Sequence, residues 1–128
     1  MKVNTHLEIN ENLCGKVLKV EEDYALIRLK TTESMKADSM GLIHGGFVFG
    51  AADYAAMVAV NDPNVVLGSA EVRFLKPLKS GDSILAEAKV REKAGKKQIV
   101  EVVVSVEEEE IFKGSFTCFV LEKHVLEK

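Results

Sequence analysis

Tryptophan is absent from the 128 residues, cysteine and proline occur twice each, and aromatic side chains make up 6%. The two cysteines, Cys14 and Cys118, stand far apart with no CxxC spacing, which argues against a disulfide scaffold or a zinc ribbon and for reduced side chains. His6 and His124 are isolated near the ends, so no His/Cys/Asp spacing points to zinc. Basic residues do not predominate: 17 Lys and Arg against 20 Asp and Glu leave a net charge of −3. Without a basic footprint or an aromatic stacking surface, nucleic acid is not an expected partner. No apolar run reaches the length of a bilayer span and no signal-peptide pattern follows Met1, so the expected location is the cytoplasm and no membrane association is expected. A phosphate loop, a dinucleotide fingerprint and a nucleophile elbow are all missing.

What is present is an ordinary globular composition, 47% hydrophobic and 29% charged, at a length that suits one domain over residues 1–128. Residues 1–14 are weakly patterned and read as an arm or short helix. From Gly15 to Lys30 two β-rich runs flank Glu21, Glu22 and Asp23, the pattern of a hairpin or a kinked strand. Thr31 to Leu42 reads as a loop. From there to Asn61 the chain is apolar and alanine-rich, too long for a strand, and it ends before Pro63; this is a helix, apolar nearly all round and hence buried. Four strand-like stretches follow, Val65 to Leu75, Ser83 to Arg91, Gln98 to Val106 and Ile111 to Leu121. Ile84, Ala86, Ala88 and Val90, and likewise Val100, Val102, Val104 and Val106, alternate as inward-facing rows. The separators are short enough for antiparallel turns, and the run Glu107 to Glu110 reads as a solvated turn rather than an acidic docking patch. The order of elements gives an α+β chain whose one apolar helix needs a strongly curved antiparallel sheet of five to six strands as its cover.

Asp53 stands out. Apart from His44, it is the only ionisable side chain with acid or base character near neutral pH from His44 to Val60, and its helical neighbours are Phe49, Gly50, Ala56 and Met57. Either it marks a solvent-facing stripe, or it is a carboxylate kept in an apolar cleft, with a raised pKa, for general-base or nucleophilic work. His44, Gly45 and Gly46 open the same helix, where unpaired N–H groups and a partial positive charge suit an oxyanion and glycine lets a ligand approach closely. A glycine pair is also an ordinary turn, and a histidine at such a place is often a packed or capping residue.

The stretch from Ile43 to Asp53, with His-Gly-Gly at its start and the aspartate nine residues after the histidine, resembles the motif of PaaI-like (phenylacetate-degradation-type) hotdog acyl-CoA thioesterases. Phe74-Leu75-Lys76-Pro77 followed by Gly81-Asp82 is similar to that family's later strand and turn, and the likeness runs from about Gly15 to Leu121. The resemblance implies a hotdog fold, acyl-CoA as substrate and no separate cofactor, since coenzyme A belongs to the substrate. It implies that Gly45 polarises the thioester carbonyl, that Asp53 activates water or attacks directly, and that His44 sets the turn or touches substrate. Asp38 stands where some relatives carry asparagine, which puts its water-positioning role in question. Gly46, Ser69, Arg73 and Lys76, with Lys79, are the remaining candidates for substrate contact, the cations toward coenzyme A phosphates; an ordinary strand serine and solvated surface charges are the alternatives.

Gly45 and Asp53, eight residues apart, lie roughly 12 Å from each other along a helix. Two groups that each sit about 3 Å from one reacting centre cannot be so distant. A site of this kind therefore needs two antiparallel helices in a twofold homodimer, with a dimer of dimers left open. The other readings are a hotdog domain that binds acyl-CoA without hydrolysing it and a hotdog dehydratase, which would want a His paired with an acid.

Overall fold

The computed structural model describes residues 1–128. A four-residue helix α1 (Glu11–Cys14) precedes the hairpin β1 (Lys16–Glu21) and β2 (Tyr24–Lys30); α2 (Gly45–Val60) then leads to β3 (Val65–Phe74), β4 (Ser83–Ala94), β5 (Lys97–Val106) and β6 (Glu109–Val120). The six strands form one antiparallel sheet in the order β1-β2-β4-β5-β6-β3. This is the hotdog arrangement. Strands of such a sheet span roughly 24 Å at about 4.8 Å each. A helix only about 10 Å wide can approach all six, as α2 does, because the sheet curves around it.

Alanine and the absence of proline, asparagine and serine carry α2 through four turns, and Asn61 in the left-handed conformation ends it, its N–H bonding Met57 O. Nine of its residues are buried, from Val48 to Ala59. They meet the expected inward rows: Ile84, Ala86, Ala88, Val100, Val102 and Val104 are fully buried, with Val90 and Val106 half-buried at the row ends. Strand β6 adds Phe112, Phe116 and Cys118. The N-terminal residues cover part of what the strands leave. Asn4 N–H donates to Asn61 Oδ1 (2.7 Å), Asn61 Nδ2 donates to Lys2 O (2.8 Å), and the His6 ring lies 6.3 Å from that of Tyr54.

Two local readings shift. The Thr31 to Leu42 loop contains a short 3-10 turn, Glu33–Met35, that buries Met35 against the core. In the glutamate run only Glu107 and Glu108 form the turn, both at positive φ (48° and 71°), while Glu109 and Glu110 already belong to β6. A two-residue hairpin loop asks for that left-handed pair to match strand twist, so the turn is tighter than charge alone suggests.

The end of β2 is tied to the turn that enters β4. Thr31, fully buried, donates its hydroxyl to Asp82 O (2.6 Å) and accepts from Gly81 N–H (3.1 Å). This fixes the connection that follows β3 and lies beside the start of α2, where Ile43 N–H bonds Leu78 O. Thr31→Val keeps the shape and leaves both groups without that partner, so it should lower unfolding free energy by about 1–2 kcal/mol. Urea denaturation measures this; an unchanged midpoint would show the hydroxyl is replaceable.

Candidate active site

The start of α2 is built by its flanks. His44 takes the N-cap position with its N–H bonded to Met35 O, and its side chain makes no capping hydrogen bond. The imidazole lies over Gly46 instead: a Cβ there would sit 3.0 Å from the ring, so any larger residue would have to push the imidazole aside. Gly45 is crowded from the other side by Phe74, whose ring would stand 3.0 Å from an added Cβ. The N–H groups of Gly45 and Gly46 have no acceptor within the chain. Together with the helix dipole, they make this end a donor site for a developing negative charge.

Beside Gly45 opens a mainly apolar groove of about 300 Å³ lined by Val48, Phe74, Leu75, Pro77 and Ile111. Phe74 packs edge-on against Phe112 (5.1 Å between ring centroids) while keeping more than half of its surface exposed.

Asp53 lies in the middle of α2 and is mostly buried. Phe49, one turn earlier, packs at a tilt against Phe116 of β6 (5.5 Å between ring centroids), and the next inward residue of that strand is Cys118. Its carboxylate is felt by both free thiols: burial first, then that charge, pushes Cys118 up to about 12 and raises Cys14. Asp53 forms no ion pair or hydrogen bond, and its Oδ1 is buried without a partner. Desolvation raises its carboxyl from 3.8 to about 6.

The other candidates divide by face. Asp38 accepts from the N–H groups of Met40 (2.9 Å) and Leu42 (3.1 Å), folding the exposed loop before α2 onto itself. Ser69 and Arg73 pair with Thr117 and Lys113, on the row opposite Ala70, Val72 and Phe112; their side chains therefore occupy the outer face of the sheet, away from α2. Arg73 there lines a larger concavity of about 620 Å³ with Glu71, Glu101, Lys113 and Ser115, remote from Asp53. The groove beside Gly45 is smaller, and the chemistry favours it because donors and apolar walls meet there. Lys76 follows β3 at the rim of that groove, its Nζ 3.0 Å from Glu109 Oε2, and Lys79 sits in the turn closed by Asp82. Within one chain the structure brings His44, Gly45, Gly46 and Lys76 to one end of α2 and leaves Asp53 about two turns along it. Phe74 and Cys118 were not expected at the site; inward alternation along β3 and β6 is the signal that finds them. No group of His, Cys, Asp and Glu has the arrangement of a metal site, and no helix is long and apolar enough to cross a membrane.

With this geometry in view, the thioesterase superfamily model matches residues 40–113. Over 123 residues the chain is 55% identical to methylthioribose-1-phosphate isomerase of Aquifex aeolicus, covering 95% of this chain and 27% of that protein. It is 31% identical over 97 residues to transcription factor FapR of Caldanaerobacter subterraneus, covering 76% and 48%. The chain thus spans about a quarter of the first relative and about half of the second. An uncharacterized protein of Pyrococcus horikoshii superposes with a TM-score of 0.98 at 55% identity, covering 99% of this chain and 98% of that one. An asparagine-to-aspartate mutant of the phenylacetic acid degradation protein PaaI of Thermus thermophilus gives 0.79 at 26%, covering 87% and 96%.

The raised carboxyl has a thermodynamic consequence. A group whose pKa is higher folded than unfolded favours the folded state while protonated and loses that advantage as pH rises from about 4 through about 6. Asp53→Asn removes the titration, so above that range the variant should be the more stable protein, by about 3 kcal/mol if the full shift is expressed. Below about pH 4 the two should match. Thermal melts at both ends of the range test this, and a stability difference independent of pH would show that Asp53 is solvated in both states.

Proposed function

Because the chain belongs to the thioesterase superfamily and has the hotdog fold of its PaaI-like members, we propose that it hydrolyses an acyl-CoA thioester in a site shared by two copies of the chain. The single observation that carries this reading is the unpaired, mostly buried carboxylate of Asp53 on the helix whose first N–H groups are free. A carboxylate held out of water without a partner costs folding free energy and is useful where a proton has to be taken up.

One carbonyl cannot be served by Gly45 and Asp53 of the same helix, given the roughly 12 Å between them. Strand β3 supplies the way to assemble two. It is ten residues long, bonds β6 on one side only, and leaves its other edge of backbone groups open. A twofold partner adding its own β3 there would continue the sheet and set the two α2 helices antiparallel, with Gly45 of one facing Asp53 of the other. The thioester oxygen then accepts hydrogen bonds from the helix start. Asp53 takes a proton from water as the water oxygen bonds to the carbonyl carbon, and the negative charge moves to the carbonyl oxygen. Collapse of that intermediate breaks the C–S bond, and the coenzyme A thiolate leaves and takes up the proton. The groove beside Gly45 accepts the apolar acyl group, and Lys76 at its rim is placed to meet a phosphate.

The similarity to a transcription factor, FapR, favours a second reading in which the domain is not an enzyme; with this fold that reading is a domain that binds an acyl-CoA without turning it over. Asp53 discriminates, since a binder gains nothing from a desolvated carboxylate beside the thioester.

Thiol release from short, medium, long and aromatic acyl-CoAs should identify a substrate. On it Asp53→Asn should lower kcat by about 10²–10⁴-fold with acyl-CoA affinity nearly retained. Equal turnover by the variant rejects Asp53 as the base; binding without turnover by the unaltered protein selects the second reading. Because the ionised form is the active one, kcat/KM should fall as pH drops through about 6 and be level above it. Sedimentation should give a particle of twice the 14.1 kDa chain or a multiple of it, and hydrolysis should vanish on dilution to monomer.

A further inference from the structure

Asp53 Oδ1 and Gln98 Oε1 are the two buried side-chain polar atoms of the chain that lack a hydrogen-bond partner. They are separated by 45 positions in the sequence, but the fold brings them to one place. Gln98 is the first inward residue of β5: Val100, Val102 and Val104, each two residues further, are fully buried under α2, and the pairing with β6 runs without a slip from Lys97 to Val104. Its partner across the ladder is Cys118, the thiol that the charge of Asp53 reaches. The three side chains therefore adjoin, with the thiol between or beside the two orphaned acceptors.

Two acceptors facing one apolar space are each unsatisfied, at about 1–3 kcal/mol apiece. The remedy is present on one of them. Neither Asp53 Oδ2 nor Gln98 Nε2 shares the buried, unpartnered condition of its neighbour atom. Each group thus has one atom shut off from solvent and one that is not. A half turn of the Gln98 amide exchanges the buried oxygen for an N–H donor without moving the chain. That donor would bind the inner oxygen of Asp53 and leave the outer oxygen free for water.

We infer that Gln98 is a positioning residue for Asp53, donating its amide N–H to the inner carboxylate oxygen so that the outer oxygen is aimed at the shared site. The inference rests on the hydrolytic reading for its kinetic consequence, though not for its structural one. A hydrogen bond to the charged form favours ionisation, so Gln98 counters part of the desolvation that raises Asp53. The other titratable groups that reach Asp53 are the Cys118 thiol from β6 and the Cys14 thiol from α1. Both are raised, so neither changes charge over the range in which Asp53 titrates. No cation is paired with Asp53 from any strand.

The test replaces Gln98 with leucine, and with the longer methionine should leucine not fold. With the amide gone, the pH midpoint of kcat/KM should rise by about one unit while the plateau at high pH stays within about threefold of the unaltered protein. A packing role alone would change stability or the plateau and leave the midpoint in place. Equilibrium unfolding at about pH 4 and about pH 8 gives a second readout. Gln98→Leu should reduce the folding equilibrium constant about tenfold more at the higher pH, and this excess should disappear in the Asp53→Asn background. A midpoint moved by less than about 0.2 unit, together with the same unfolding cost at both pH values, overturns the inference. If no thioester is hydrolysed, the hydrolytic reading has failed, and the unfolding comparison still decides for or against Gln98.

Discussion

A helix that is apolar on nearly every side has to be covered on nearly every side, and the cover has to come from a chain of modest length. The sheet curves until all six strands approach α2, and the N-terminal arm closes over Tyr54 and Asn61. The wrap is uneven. The helix lies chiefly over β2, β4 and β5, so its cover thins toward both edge strands, β1 on one side and β3, beyond β6, on the other. The site residues lie toward the β6 and β3 side.

Electrostatics gives this asymmetry its chemical meaning. An apolar wall around a carboxylate, with no cation to balance it, holds a proton to about pH 6. Two turns away, the free N–H groups of Gly45 and Gly46 stand at a more exposed helix start, where they can serve an oxyanion. The buried carboxylate costs stability in an isolated chain, and the helix start is open to a ligand or partner that brings the complementary group. A buried acid and a bare helix start, two turns apart on one element, are for that reason an argument about assembly as much as about catalysis.

Much of this was legible along the chain. Periodicity of two in the second and third of the four strand-like C-terminal runs and a long alanine-rich stretch located α2 and the strands to within a few residues, and the lone aspartate among apolar neighbours marked the element that matters. The faces were harder. Ser69 and Arg73 belong to β3 as expected, yet the ladder puts them on the outer surface: the pairing slips between Leu67 and Ser69, at Gly68, where the Phe119 ring occupies the space of a Cβ. A slip of one residue reverses every side chain beyond it, and no local pattern in a short half-buried strand reveals where it falls. Gln98 escaped notice for the opposite reason. Strand alternation puts it inward, but a polar residue at a strand end reads as solvated until the neighbour above it is known.

The sequence alone determined the order of elements, the helix boundaries, the inward rows and the identity of the one carboxylate inside an apolar helix, because these depend on interactions within a few residues or on composition. Only the tertiary structure decided which strands became the sheet edges, which face Ser69 and Arg73 took, that Phe74 crowds Gly45, and that Cys118 comes within reach of the Asp53 charge while pairing with Gln98. Those outcomes come from pairings between residues far apart in the chain, where the register of one ladder fixes the neighbours of the next.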